Sequence, residues 1–346
     1  MKYLSKLTFF PVLILLLSGC QNHQCYQQKP EAIYNLVMKD ESFQNFIKTQ
    51  KFNVVVPASG LGQPKMQNLK DQLKQTNLHF SSDYNGPMEL FHVYSDEKRL
   101  DDLVNAINDD NIPYIWCLKG GYGAQKLIPY LDQMKKPRKA KTIIGYSDIT
   151  ALHLFMNQKW GWKTIHGSMV FELVSPKKDP ENFKCLQKII QNPRQLISYD
   201  SLFPLNEDAK NSMSVQGQLT GGNLTVLLHT LKTQSEIVTK DKIIILEDVF
   251  EKPYRVDRII HHLLQAGKLK DAKAIVFADF STEGSEYLMN QTLINLAQKM
   301  NIPVFRWKKS GHGYHNFPFI YGADGLITVN SKKSNTNGSY ELKFFA

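Results

Sequence analysis

The segment "IIGYSDITALHLF", residues 143–155, carries the pattern on which the fold prediction rests. An apolar run reaches Gly145, a hydroxyl follows at Ser147, and an apolar helical pattern then begins. A buried strand that turns directly into a helix is the repeating unit of α/β sheets. The segment therefore predicts a strand–turn–helix unit with Ser147 at the turn.

Ser147 has two interpretations. A serine at a tight strand-to-helix turn has the form of a nucleophile elbow, and Gly145 would permit the sharp turn. The second glycine of the G-x-S-x-G pattern is absent, because Ile149 occupies its place. Serine is also a common helix N-cap, and the local pattern taken alone favours the cap.

Strands and helices alternate on the N-terminal side of this segment. Apolar runs at "KFNVVVPAS" (51–59) and "IPYIWCL" (112–118) predict buried strands. "SDEKRLDDLVNAINDD" (95–110) is an amphipathic helix pattern, and "KGGYGAQKLIPYLDQM" (119–134) reads as a glycine turn and a helix. This alternation predicts a doubly wound parallel sheet.

A looser, Pro-, Lys- and Asn-rich stretch separates this part from the rest of the chain. We predict a linker at 176–212 between an N-terminal domain at 51–175 and a C-terminal domain at 213–335, followed by a tail strand at 336–346. Residues 315–330 are rich in strand-forming residues.

The N-terminus, "MKYLSKLTFFPVLILLLSGC", has two lysines and then an apolar run too short to span a bilayer comfortably. "LSGC" resembles a bacterial lipobox, which implies removal of residues 1–19 and lipidation of Cys20. Residues 20–50 are predicted to be a polar tether and a helix outside the main fold. Gln21 favours the outer membrane, with the protein facing the periplasm. A plain signal peptide or a chance cysteine is the alternative.

The formal charge of +10 falls to +8 when the leader and its two lysines are removed. The lysines are scattered and form no compact, aromatic-studded face, so we expect no nucleic-acid partner. Such a surface suits an anionic membrane or a carboxylate-rich cell-wall polymer.

Cysteine and histidine spacing gives no metal site. Cys25, Cys117 and Cys185 form no CxxC motif, and their odd number leaves at least one thiol free unless it pairs between molecules. His312 and His315 are three residues apart, but no third ligand or HExxH motif accompanies them. We expect neither a metal nor a cofactor.

Three predicted strands end in the residue types of a hydrolase. Ser147 follows "IIGY", Glu247 ends "IIILE", and His312 lies in "SGHGYH" after the strand "IPVFRW". Ligands of open α/β sheets bind beyond the carboxyl ends of the strands. A serine needs a base to take its proton, and the base needs an acid to fix its tautomer, so these residues supply the three roles.

Five motifs in order resemble the LD-carboxypeptidase family of serine peptidases: "KGGYGAQKLIPYLD", "IIGYSDITALH", "GQLTGGNLTVLLHTL", "IIILEDVFEKPYRVDRIIHHLLQAG" and "SGHG". The family contains the muramoyltetrapeptide carboxypeptidases and the microcin-immunity peptidases. The similarity extends from about residue 53 to about residue 330.

The resemblance implies an N-terminal three-layer α/β domain with a parallel sheet, a smaller β-rich C-terminal domain, and a homodimer. It also implies that Ser147 is the nucleophile, Glu247 the acid and His312 the general base. Backbone amides of Gly121 and Asp148 would form the oxyanion hole.

One position departs from the family pattern, because Lys119 stands where arginine commonly precedes "GGYG". Arginine grips a carboxylate with two parallel hydrogen bonds, whereas lysine acts as a point charge. Lys119 is either a contact for the carboxylate of the substrate or a solvated loop residue.

The predicted function is removal of the terminal D-alanine from peptidoglycan stem tetrapeptides by a serine LD-carboxypeptidase. A microcin-immunity-like peptidase of the same family is one alternative. A non-catalytic lipoprotein that binds muropeptides or solutes is the other.

Overall fold

The computed structural model describes residues 36–81, 90–282, 284–330 and 339–346. Its strands are β1 Phe52–Val55, β2 Leu78–Phe80, β3 Tyr114–Cys117, β4 Thr142–Gly145, β5 Thr164–His166, β6 Leu196–Pro204, β7 Ser214–Asn223, β8 Lys242–Val249, β9 Ala274–Ser281, β10 Val304–Arg306, β11 Phe319–Tyr321, β12 Asp324–Val329 and β13 Tyr340–Phe345. Its α-helices are α1 Glu41–Thr49, α2 Gln63–Leu73, α3 Asp96–Asn108, α4 Ala124–Gln133, α5 Thr150–Trp160, α6 Pro180–Gln191, α7 Glu207–Asn211, α8 Leu224–Thr230, α9 Pro253–Gln265 and α10 Glu286–Gln298. Within these ranges, each helix is too short or too polar to cross a bilayer.

Six strands form the first sheet, in the order β11-β5-β4-β3-β1-β2. Strands β1 to β5 run parallel to one another, and β11 pairs antiparallel with β5. Val55 and Ile115 are buried with residues of α3, α4 and α5, whereas Val54 and Trp116 are buried with residues of α1, α2 and α6. Successive side chains of a strand point to opposite faces, so helices cover both faces of this sheet. The predicted three-layer α/β domain is confirmed.

Seven strands close into a barrel, in the order β10-β6-β13-β12-β7-β8-β9. The neighbours from β7 to β10 run parallel, and the other pairs run antiparallel. The predicted β-rich C-terminal region is confirmed. Because β8 and β10 run in the same direction, Glu247 near the end of β8 and the loop after β10 that carries His312 lie at the same rim.

Two segments differ from the expected organisation. Residues 176–212, predicted as a linker, contain α6, which packs on the first sheet, and β6, which belongs to the barrel. In addition, β11 joins the first sheet, although β10 and β12 on either side of it in sequence belong to the barrel. The chain therefore passes between the two sheets more than once.

The start of the described chain also differs from expectation. Helix α1 was predicted to lie outside the main fold, but Phe43 and Phe46 are buried. Their ring centroids lie 5.9 Å from Phe183 and 5.7 Å from Phe52, respectively. The expectation was wrong because these two phenylalanines and Ile47 give the helix an apolar face, which is stable only when packed.

Candidate active site

Ser147 lies at the turn between β4 and α5, where residues 147–149 form one turn of 3₁₀ helix. Its backbone has a φ of 64°, which non-glycine residues seldom adopt. The residue in the left-handed conformation is thus Ser147 itself, not the glycine two positions before it. Gly145 is needed for space, since a Cβ there would lie 3.0 Å from Ile149 and 3.2 Å from Cys117.

The helix-cap interpretation of Ser147 finds no support. Tyr146 occupies the cap of the 3₁₀ helix and Ile149 the cap of α5, and neither makes a side-chain capping bond. A strained serine without a capping role is typical of a functional site.

The glycine turn after β3 packs directly against Ser147. A Cβ at Gly120 would lie 3.0 Å from the Cβ of Ser147 and 3.2 Å from its Oγ, so a glycine is required for this approach. The Asp148 carboxylate accepts a hydrogen bond of 2.8 Å from the backbone N–H of Ala124, at the start of α4. Gly121 and Asp148, the predicted oxyanion residues, therefore lie on two segments that are in contact.

His312 and Glu247 form a hydrogen-bonded pair, with 2.6 Å between His312 Nδ1 and Glu247 Oε2. Burial disfavours the charged imidazole, but the charge and hydrogen bond of Glu247 outweigh it and raise the pKa of His312. Burial also disfavours the Glu247 carboxylate, but the facing His312 keeps the pKa of that carboxyl below its ordinary value. The pair can therefore stabilise a proton on the imidazole.

Tyr146 brings the nucleophile and this pair together, because the centroid of its ring lies 4.8 Å from that of His312 and Ser147 is the next residue. Within the described chain, no hydrogen bond joins the Ser147 hydroxyl to His312. Catalytic hydrogen bonds are often long before substrate binds and tighten in the complex. The structure thus places the three predicted residues in one site.

Two predicted residues remain, Lys119 and Cys20. Lys119 lies two residues after the end of β3, is partly exposed, and has no hydrogen-bond or ion-pair partner within the described chain. Its ammonium is available to a ligand. The predicted lipidation site, Cys20, lies outside the described residues.

Two residues of the site were missed from the sequence. The buried Glu172 carboxylate accepts a hydrogen bond of 2.7 Å from the Tyr146 hydroxyl, and Lys178 Nζ lies 3.4 Å from the same oxygen. Lys178 also donates to the backbone carbonyl of His312. Nothing in the sequence distinguishes Lys178 from a surface lysine, since it lies in the segment predicted as a linker.

His166 at the end of β5 is fully buried beside this site. Its ring stacks on Phe319 of β11, with 4.6 Å between centroids, and burial lowers the pKa of the imidazole to about 4. His166 is therefore a neutral ring at ordinary pH, packed against Tyr146 and Phe319 on the first sheet.

Models of known protein families match both halves of the chain. The LD-carboxypeptidase N-terminal domain matches residues 52–167, and the LD-carboxypeptidase C-terminal domain matches residues 216–327. This protein belongs to the LD-carboxypeptidase family. The family predicted from the five motifs is confirmed, and the protein is a serine carboxypeptidase.

Individual family members support this assignment. A putative carboxypeptidase of Rickettsia conorii is 42% identical over 83% of this chain and 90% of its own length. The murein tetrapeptide carboxypeptidase of Pseudomonas aeruginosa is 32% identical over 68% of this chain and 78% of its own. The crystal structure of muramoyltetrapeptide carboxypeptidase from Oxalobacter formigenes has the same fold, with a TM-score of 0.70 and 22% identity over 86% of this chain and 99% of that one.

Proposed function

We propose that this LD-carboxypeptidase removes the terminal D-alanine from peptidoglycan stem tetrapeptides by acyl transfer through Ser147. The observation that carries the proposal is the His312–Glu247 hydrogen bond, which lies beside a strained serine without a capping role. A base with its tautomer fixed by a buried carboxylate is what a serine hydroxyl needs to become a nucleophile.

The proposed reaction has two halves. Ser147 attacks the carbonyl that precedes D-alanine, while the free Nε2 of His312 takes its proton. Glu247 stabilises the imidazolium through Nδ1, and the amides of Gly121 and Asp148 stabilise the oxyanion. His312 then protonates the leaving amine of D-alanine, and a water molecule activated by the same imidazole hydrolyses the acyl-enzyme.

The choice of substrate rests on two observations. The relative from Pseudomonas aeruginosa, 32% identical, is named a murein tetrapeptide carboxypeptidase. Lys119 also presents an unpaired ammonium next to the glycine turn, where it would attract the terminal carboxylate of a peptide.

The test is release of D-alanine from purified muropeptide tetrapeptide. Ser147→Ala should lower kcat by on the order of 10⁴-fold, and adding His312→Ala to that variant should cost little more, because the two residues act as one unit. Thermal melts check that each variant is folded. Near-wild-type release by folded Ser147→Ala would contradict the mechanism.

Two other outcomes separate the alternatives. Binding of muropeptide by the wild-type protein without release of D-alanine would favour a binding lipoprotein. Faster cleavage of a peptidyl-nucleotide analogue than of the tetrapeptide would favour the microcin-immunity-like activity.

We also propose that the protein works as a homodimer on the periplasmic side of the outer membrane, anchored through a lipidated Cys20. The lipobox "LSGC" after an apolar leader supports the anchor. With Cys20→Ser, the protein should move from the detergent phase to the aqueous phase. Unchanged partitioning would refute the anchor, and sedimentation of the purified chain tests the dimer.

A further inference from the structure

The loop that carries His312 is held by a segment from the other half of the chain. We call residues 312–316 the base loop and residues 178–182, at the start of α6, the anchor segment. Asp179 donates its backbone N–H to the Tyr314 carbonyl at 2.9 Å, and its carboxylate contacts His315 Nδ1 at 2.7 Å. The anchor segment thus fixes the part of the base loop that follows His312.

Asn182 completes this arrangement from the first turn of α6. Its side-chain amide donates to the Tyr314 carbonyl at 3.2 Å, and its side-chain oxygen accepts from the Asn316 backbone N–H at 2.8 Å. Asn182 is fully buried. A buried amide with both ends bonded fixes the position of the backbone that it holds.

Lys178 contacts the base itself. Its Nζ donates to the carbonyls of His312 and Gly313, at 2.8 Å each. The same ammonium lies 3.4 Å from Glu172 Oε1 and 5.6 Å from the centroid of the Tyr146 ring. Its side chain is 11% exposed. Lys178 therefore bridges the base loop and the residue that precedes the nucleophile.

The charged groups that face His312 come from several elements. Glu247 and Asp248 on β8 favour the imidazolium, whereas Lys178 disfavours it. Asp279 of β9 lies under the base loop, within 2.9 Å of a Cβ placed at Gly313. His166 on β5 is neutral at ordinary pH because burial lowers its pKa to about 4.

Lys178 is placed to do two things. A buried ammonium is costly unless it is paired and hydrogen-bonded, and here Glu172 and two carbonyls satisfy it. Since one of those carbonyls belongs to His312, the ammonium fixes the backbone from which the imidazole extends. Its positive charge also disfavours the imidazolium, so a larger fraction of His312 stays in the neutral form that can take the Ser147 proton.

We propose that Lys178 is a positioning residue for the reaction, which holds the backbone of His312 and places its ammonium beside the base. This inference rests on the proposed function of the same site. The residue acts through the His312 backbone and through its charge.

The experiment compares Lys178→Met, Lys178→Gln and Lys178→Arg with Lys177→Met, a control that removes the neighbouring exposed lysine. Lys178→Met should lower kcat for tetrapeptide by about 10–100-fold, because small displacements of a catalytic group are costly. The acidic limb of its pH–rate profile should move to higher pH, because loss of the positive charge raises the pKa of His312. Lys178→Arg should restore the pH profile and part of the rate.

Titration of the His312 imidazole by NMR measures the same effect without substrate. The pKa of His312 should rise in Lys178→Met and Lys178→Gln and stay unchanged in Lys178→Arg and Lys177→Met. If Lys178→Met does not fold, Lys178→Gln serves instead, because it keeps a donor and loses the charge. An unchanged titration and wild-type kcat in folded variants would overturn the role of Lys178 and leave the proposed function intact. A wild-type protein that releases no D-alanine would refute the function, while the titration still reports on Lys178.

Discussion

The two sides of the active site are held in different ways. On the first sheet, Ser147 is positioned by backbone geometry: a left-handed φ and a glycine turn that leaves no room for a Cβ. On the barrel, His312 is positioned by polar side chains, chiefly Glu247 and Lys178. Activity should therefore be lost on the nucleophile side when a substitution adds atoms to the turns, and on the base side when a substitution removes a polar group.

Among variants that leave Ser147 and His312 in place, the largest effect is expected on the base side, from Glu247→Gln. This variant keeps the size of the side chain but loses the charge that stabilises the imidazolium, so kcat should fall by about 10³–10⁴-fold. Loss of that charge also lowers the pKa of His312. Because the base must be neutral, the acidic limb of the pH–rate profile should move to lower pH.

A pH–rate profile of D-alanine release measures both effects of Glu247→Gln. Glu251→Gln, in the loop that follows β8, is the matched control and should behave as wild type. Wild-type kcat in folded Glu247→Gln would show that the pair does not act in catalysis.

A smaller effect is expected on the nucleophile side, from Gly121→Ala. Gly121 has a φ of 115°, and an added Cβ would lie 2.5 Å from Ser59 Oγ, so the glycine turn must shift. If the turn supplies an oxyanion donor, kcat should fall by about 10²-fold or more. Gly62→Ala is the control, since nothing lies within 4 Å of its added Cβ. Equal activity of the two variants would argue against the role of Gly121.

The third prediction concerns His166, a buried side chain on the nucleophile side whose protonation affects the stability of the fold. The pKa of His166 is lowered from 6.5 to about 4 in the folded state, because burial disfavours its charge. As the pH falls below 6.5, His166 is protonated in the unfolded chain before it is protonated in the folded protein. The free energy of unfolding is therefore undiminished by this group above pH 6.5 and decreases between pH 6.5 and pH 4. His166→Phe should remove about 2 kcal/mol of this loss at pH 5.

Denaturant unfolding at pH 7.5 and pH 5 checks this expectation. His79→Phe, at an exposed position of β2, is the control and should keep the wild-type pH dependence. The same pH dependence in His166→Phe would mean that the buried imidazole does not cause the acid sensitivity.

The smallest effect is expected from Lys119→Met. If Lys119 binds the terminal carboxylate, KM for tetrapeptide should rise by up to about 5-fold, as loss of a partly exposed ion pair worth under about 1 kcal/mol predicts, and KM for a C-terminally amidated analogue should change less. Steady-state kinetics with both substrates give the comparison. Equal changes would identify Lys119 as a solvated loop residue.

The sequence predicted one side of the comparison better than the other. Strand–helix alternation and the motif around Ser147 located the first sheet and its turn, because hydrophobic period and glycine placement are local signals. The motifs also placed Glu247 and His312 at strand ends, and the structure brings them to one rim. The sequence did not indicate that the residue with the positive φ angle is Ser147 and not Gly145.

The supports of the base loop were not found because their signal is long-range. Asp179 and Pro180 form a helix start, with the Asp179 carboxylate capping the N–H of Glu181, and this signal was obscured by the Pro- and Lys-rich composition around it. Lys177 and Lys178 are identical in type and adjacent. Which of them is largely shielded from solvent depends on the position of the base loop, about 135 residues later in the chain.

The position of β11 has a consequence for synthesis of the protein. Phe319–Tyr321 closes the edge of β5, so the first sheet is complete only after the ribosome has translated almost the whole chain. Until then, β5 presents unpaired N–H and C=O groups to any other strand nearby, and such an edge is a template for aggregation. A premature stop codon between positions 192 and 319 would therefore damage the N-terminal domain, although every residue from 51 to 175 would still be present.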